Sequence, residues 1–163
     1  MPAQILALPT VIGAAENALR ALLIRVLSGT PIAGYDDWVT LNVVDRVGPT
    51  GHDAAAALGN ALAIDEARAR ELLESTVVRG LVSRTGNGVV PSPAGATALA
   101  DARPRVRAVT QRVLDGLPPA EIDVAVRVLD RVRAQAEREL GHGLGPGLGF
   151  DELRRPSPSG ERS

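Results

Sequence analysis

The sequence predicts a mainly α chain in which a single two-stranded hairpin interrupts six helices. Three observations carry that expectation. Apolar residues recur at three- and four-residue spacing through residues 11–27, the period of one helical face. Asn87-Gly88 stands between two short strand-like runs, Leu81-Val82-Ser83-Arg84 and Val89-Val90, and Asn-Gly accepts the positive φ angles of a tight hairpin. Tyr35, Trp38 and Phe150 are the only aromatics in 163 residues, so the core is built from Leu, Val, Ile and Ala, which suits helices in close approach.

Each element follows in order. Residues 1–9 read as an N-terminal extension. Thr10, after Pro9, is placed to cap a helix with apolar side chains at 11, 12, 15, 18, 19, 22, 23, 26 and 27, and Ser28-Gly29 stops it. A second helix is expected over 35–47, ended by Gly48-Pro49-Thr50-Gly51. A third covers 53–62 and a fourth 65–79, with Asp65 as its cap and Gly80 just beyond its end. After the hairpin, Ser92-Pro93 supplies a cap and a first-turn proline for a fifth helix, which runs towards Asp115 and is kinked at Pro104. Leu117-Pro118-Pro119 breaks the chain. A sixth helix over 120–140 carries a partial apolar stripe at 122, 124, 126, 128, 129 and 132. Beyond it, 141–163 is rich in Gly, Pro, Arg and Ser and reads as a disordered tail.

Composition narrows the function. The absence of Cys removes disulfides, thiol nucleophiles and thiolate metal sites. His52 and His142 form no recognisable metal set, and no metal or cofactor is expected. Asp36, Asp37 and Asp123 offer carboxylates, and Ser28, Ser75 and Ser83 offer hydroxyls, but none has the spacing of a catalytic set, so the chain reads as a non-enzyme. The alternating glycines of 141–149 lack a preceding strand and read as a linker, not a phosphate loop. No unbroken apolar run approaches eighteen residues and Met1-Pro2-Ala3-Gln4 lacks the basic start of a signal peptide, so a membrane span is not expected and a cytoplasmic location is. The net charge is −1 and every basic residue among the 18 is Arg. DNA contact must therefore come from local arrangement, not from global attraction.

Two stretches resemble the MarR family of bacterial regulators. Leu58-Gly59-Asn60-Ala61-Leu62-Ala63-Ile64-Asp65 is similar to the family's Leu-Ala-x-x-Leu-Gly-Leu-Asp, and Arg79-Gly80-Leu81-Val82 followed by Pro91-Ser92-Pro93-Ala94-Gly95 resembles its Arg-Gly-Leu-Val and Leu-Thr-Pro-Ala-Gly. Trp38 and Leu117-Pro118-Pro119-Ala120-Glu121 are weaker echoes, and the resemblance spans residues 10–140. It implies a winged helix-turn-helix at 50–95 with a two-stranded wing, flanked by N- and C-terminal dimerisation helices at 10–28 and 94–140. The implied function is a ligand-responsive repressor that binds a palindromic operator in double-stranded DNA as a homodimer.

The resemblance makes residues 65–79 the DNA-reading helix. Arg68 and Arg70 lie about 200° apart at ~3.6 residues per turn, so one can meet a base edge and the other a phosphate. Alternatively both are solvated charges paired with Glu66, Glu71 or Glu74. Glu71 can accept from cytosine or pair with Arg68, and Arg84 at the wing's base can reach phosphate or the minor groove. The wing tip is uncharged, and 52–95 sums to −1, from Arg68, Arg70, Arg79 and Arg84 against Asp53, Asp65, Glu66, Glu71 and Glu74. Trp38 is either a stacking wall for a small aromatic or phenolic ligand or plain core, and Arg20 and Arg25 either pair a ligand carboxylate or belong to a solvated helix face. The alternative function is a winged-helix scaffold that binds a small molecule or a protein, or a co-opted biosynthetic enzyme, without reading DNA.

Overall fold

Six helices and one hairpin form in the expected order. The computed structural model describes residues 2–48, 53–86 and 88–141. The elements are α1 (Pro2–Leu27), α2 (Tyr35–Val47), α3 (Ala54–Leu62), α4 (Glu66–Val78), β1 (Val82–Thr85), β2 (Gly88–Pro91), α5 (Pro93–Leu114) and α6 (Pro119–Gly141). The chain divides into two units at 113/114, the second containing α6. The tail expected over 141–163 lies outside the described residues beyond Gly141, as do Asn87 and residues 49–52.

The start of α1 differs from expectation. The helix begins at Pro2, so the supposed extension is helical and Thr10 is an interior residue instead of a cap. Pro9 lacks one backbone donor but does not end the helix. Likewise α5 continues through Pro104. The α1 segment Ala7–Leu27 has a mean hydropathy of 1.3 over 21 residues and is, by length and composition, long and apolar enough to cross a membrane. Counting unbroken apolar runs missed this, because Glu16, Arg20 and Arg25 interrupt the run without lowering its average far.

In the first unit a short turn packs α3 on α4. Asp53 caps α3 by accepting from Ala56 N–H at 2.9 Å, and Asp65 caps α4 by accepting from Arg68 N–H at 2.8 Å. Between them Ala63 adopts the left-handed conformation, φ 53°, and Ile64 N–H donates to Gly59 O at 3.0 Å. A Cβ at Gly59 would sit 3.0 Å from Ile64 O and 3.9 Å from the Ala69 Cβ, so small side chains on both helices permit the approach. Leu27, Ile32, Leu41, Val44, Leu58, Ala69, Leu73, Leu81 and Leu99 form the buried centre, drawn from α1 to α5, the α1–α2 loop and the residue before β1.

The hairpin pairs Val82 with Pro91, Ser83 with Val90, Arg84 with Val89 and Thr85 with Gly88. Its base is tied to α5 by Ser92, whose hydroxyl donates to Gly80 O at 2.6 Å and accepts from Gly95 N–H at 3.0 Å. In α2, Asn42 and Asp45 hold Arg103 of α5 at 3.0 and 2.6 Å.

In the second unit α6 carries Ile122, Ala125, Leu129, Val132 and Ala136 at seven-residue-repeat spacing, and all its large apolar side chains except Ile122 are exposed. Its charges pair along the helix, with Arg133 bonded to Glu137 at 2.8 Å.

Candidate functional site

The residues singled out for DNA lie on the exposed surface of α4 and β1, with Arg68 and Arg70 on opposite flanks of the helix. Ala69, Leu73 and Thr76 of α4 are buried against α3 and the core, which leaves Arg68, Arg70, Glu71 and Glu74 exposed. Arg84 stands beside them on β1, also exposed. Helical period thus decides which side of α4 can meet a partner, and the charged positions fall on that side.

None of these cations stands alone. Arg68 donates to Glu71 at 2.8 Å one turn on, Arg70 pairs with Glu66 one turn back, and Arg84 reaches across from the strand to Glu74. The hydrogen bond that Arg84 donates to the Glu74 carboxylate raises the pKa of its guanidinium. The two intrahelical pairs follow from sequence spacing; the pair of Arg84 with Glu74 does not, because it needs the fold of the hairpin. Between α3, α4 and the wing lies a cleft of about 320 Å³ that brings Arg70, Glu74 and Arg84 together over Leu73, Val77 and Val89.

A second ion pair, which the sequence reading did not foresee, anchors the end of α4. Arg79, the C-cap, forks onto the Asp37 carboxylate at the start of α2, and Asp37 also accepts from Ala33 N–H at 2.8 Å. The Asp37 side chain is 11 % exposed and that of Arg79 35 %. The hydrogen bonds that Arg79 donates to the Asp37 carboxylate raise its pKa. Forty-two residues separate the partners, so no local spacing could have signalled it.

The two ligand candidates part company. Trp38 packs on the core and also lines an apolar cavity of about 240 Å³ with Leu19, Leu22, Leu23 and Val26 of α1 and Val106, Val109, Thr110 and Val113 of α5. Trp38 is thus a core side chain, as the plain-core reading has it, and its ring also borders this cavity. Arg20 is not in that cavity. It bonds Glu16 at 2.8 Å, lies 4.4 Å from the centroid of the Tyr35 ring, and borders a different recess with Asp36 and Asp37. The Glu16 hydrogen bond raises its pKa. Among the described residues there is no group of three His, Asp or Glu side chains that could hold a metal ion.

No protein-family model and no curated protein sequence matches the chain. Solved structures do match. Transcriptional regulator PA3341 superposes with a TM-score of 0.66 at 24 % identity, over 81 % of this chain and 99 % of its own. CouR from Rhodococcus jostii RHA1, solved bound to p-coumaroyl-CoA, gives 0.67 at 17 % identity over 77 % and 91 %. A MarR family protein from Bacillus stearothermophilus gives 0.64 at 17 % identity over 84 % and 98 %. With the exposed charged helix, the hairpin beside it and these superpositions, the fold of this chain is the winged helix-turn-helix fold of the MarR family of transcriptional regulators.

Proposed function

We propose that the protein is a cytoplasmic MarR-type transcriptional regulator that binds a palindromic operator in double-stranded DNA as a homodimer and is released by a small ligand. The observation that carries this reading is the superposition over nearly the full length of regulators, combined with an α4 whose exposed face holds Arg68, Arg70 and Glu71 beside Arg84 of the wing. In this reading α4 enters the major groove, one of Arg68 and Arg70 meets a base edge and the other a phosphate, and Arg84 follows the backbone or the minor groove. Glu71 accepts from a cytosine amine or stays with Arg68. The exposed apolar side chains of α1 and α6, Val11, Leu129 and Val132 among them, find cover in a second copy.

The ligand half of the proposal rests on the cavity at Trp38. Its walls come from α1, α2 and α5, and apart from Thr110 and the indole N–H they offer no hydrogen-bonding side chain. A flat, largely apolar body such as a phenolic ring suits it. An occupant that favours one spacing of α1 against α2 shifts the equilibrium between DNA-competent and incompetent forms. Trp38 is the only tryptophan, so its fluorescence reports occupancy directly.

The test is mobility shift on DNA from the protein's own promoter region over a salt series, with Arg68→Ala and Arg70→Ala alongside. The base-reading arginine should relax preference at one position with a 5- to 150-fold loss, from ~1–3 kcal/mol per good contact. The phosphate arginine should weaken all sequences and lower the salt slope by about one. Wild-type binding by both folded variants removes α4 as the reading helix. The second reading, a scaffold that binds a small molecule or protein, is favoured by one observation, the pairing of all the arginines on α4 and β1 with carboxylates. Absence of any shift at low salt would select it.

A further inference from the structure

Resting on the reading of α4 as the DNA-binding helix, we propose that Glu66, Glu71 and Glu74 are specificity-determining residues that compete with DNA phosphate for the arginines of the reading face. Each carboxylate holds one cation: Glu71 holds Arg68, Glu66 holds Arg70 and Glu74 holds Arg84. All six side chains are about half exposed or more, so these pairs are reachable by a duplex and are weak enough to exchange.

The consequence is a penalty that falls unequally. On DNA of arbitrary sequence, an arginine that turns to a phosphate leaves a bare carboxylate beside the backbone. Its own counter-charge was part of the protein, so its transfer releases less salt than a free arginine would. On the right sequence, a carboxylate freed in the major groove can accept from a cytosine amine and offset that penalty. The acids therefore suppress non-specific binding more than specific binding, a discrimination built from repulsion as well as attraction. Arg70, Glu74 and Arg84 border one cleft, so Glu74 also fixes where the wing arginine rests before DNA arrives.

The experiment measures affinity for a random-sequence duplex by fluorescence anisotropy from 50 to 300 mM NaCl, for the wild type, the three single Glu→Gln variants and the triple variant. The triple variant should bind at least tenfold tighter at low salt, with the log–log slope steeper by up to ~0.9 per freed arginine in each protomer. The pairing partners make the decisive control: Glu71→Gln in an Arg68→Ala background, and Glu74→Gln in an Arg84→Ala background, should gain nothing. Glu137→Gln on α6 makes the same charge change at a carboxylate that holds Arg133 and none of these arginines, and should also gain nothing. A gain that persists without the arginine overturns the proposal in favour of plain repulsion. A wild type that binds with a triple variant of equal affinity and slope overturns it while α4 stays the reading helix. If neither protein binds at 50 mM salt, the DNA reading itself falls and the proposal with it. All six side chains being exposed, the variants should melt as the wild type does, and the single variants carry the test if the triple one loses stability.

Discussion

Gly95→Ala is the substitution on which helix propensity and tertiary packing disagree in sign. Gly95 lies in the first turn of α5, where propensity alone predicts a gain of up to about 1 kcal/mol for Ala. The structure predicts the reverse. A Cβ there would fall 2.0 Å from Leu81 O, 3.0 Å from Leu81 C and 3.2 Å from Leu41 Cδ2. Ordinary carbon–oxygen contacts run no closer than about 3.3 Å, so α5 and the start of β1 must separate by more than ~1 Å. Leu81 O accepts the Ser92 N–H at 3.0 Å, and the Ser92 hydroxyl bridges Gly80 O and Gly95 N–H, so the movement strains those bonds too. Overpacking at about 1–3 kcal/mol and the three weakened hydrogen bonds, together about 2 kcal/mol, outweigh the propensity gain. The expected net loss is about 3 kcal/mol, roughly a 10 °C fall in melting temperature at this size. Gly13→Ala is the matched control. Gly13 lies inside α1 with nothing within 4 Å of its Cβ position, and the same change there should raise stability by about 0.5–1 kcal/mol. Thermal melts followed by circular dichroism measure both. A Gly95→Ala protein that melts at or above the wild type would refute the reasoning.

Other expectations follow from single observations. Ala63 occupies a left-handed position that favours glycine, so Ala63→Gly should raise the urea midpoint by about 1 kcal/mol of stability, and a lowered midpoint would count against the turn geometry. Asp37→Asn should cost about 2 kcal/mol by breaking the charged fork with Arg79, softened because Arg79 is one-third exposed. Because Asp37 raises the Arg79 pKa, that arginine's share of stability is complete below its unfolded value and is lost only as pH rises through the still higher folded one. The deficit of the variant should therefore be the same at pH 6 and pH 9, and a deficit that vanishes by pH 9 would sink the assignment. Leu129→Asp on the exposed face of α6 should convert a dimer to monomer by light scattering without lowering helix content; an unchanged mass would remove α6 from the assembly.

Local chemistry determined much of this protein before any fold was known. The bounds of α2, the capping Asp65, the hairpin turn at 87–88 and the Ser92-Pro93 start of α5 all rest on interactions within about four residues, which a sequence displays openly. The charged face of α4 was legible for the same reason, since period 3.6 alone places Arg68, Arg70 and Glu71 away from Ala69 and Leu73. The onset of α1 was not, because Pro9 reads as a boundary and only the continuing helix shows that a single lost donor is tolerated. Contacts between distant segments were hidden for a deeper reason. Arg79 meets Asp37, Arg84 meets Glu74, Arg20 lies over the Tyr35 ring and Trp38 joins a cavity, all because helices packed in three dimensions carry residues together that no spacing rule connects. Sequence thus determined which faces were charged and which apolar, and the pairs one turn apart; the tertiary structure decided which carboxylates Arg79, Arg84 and Arg103 answer.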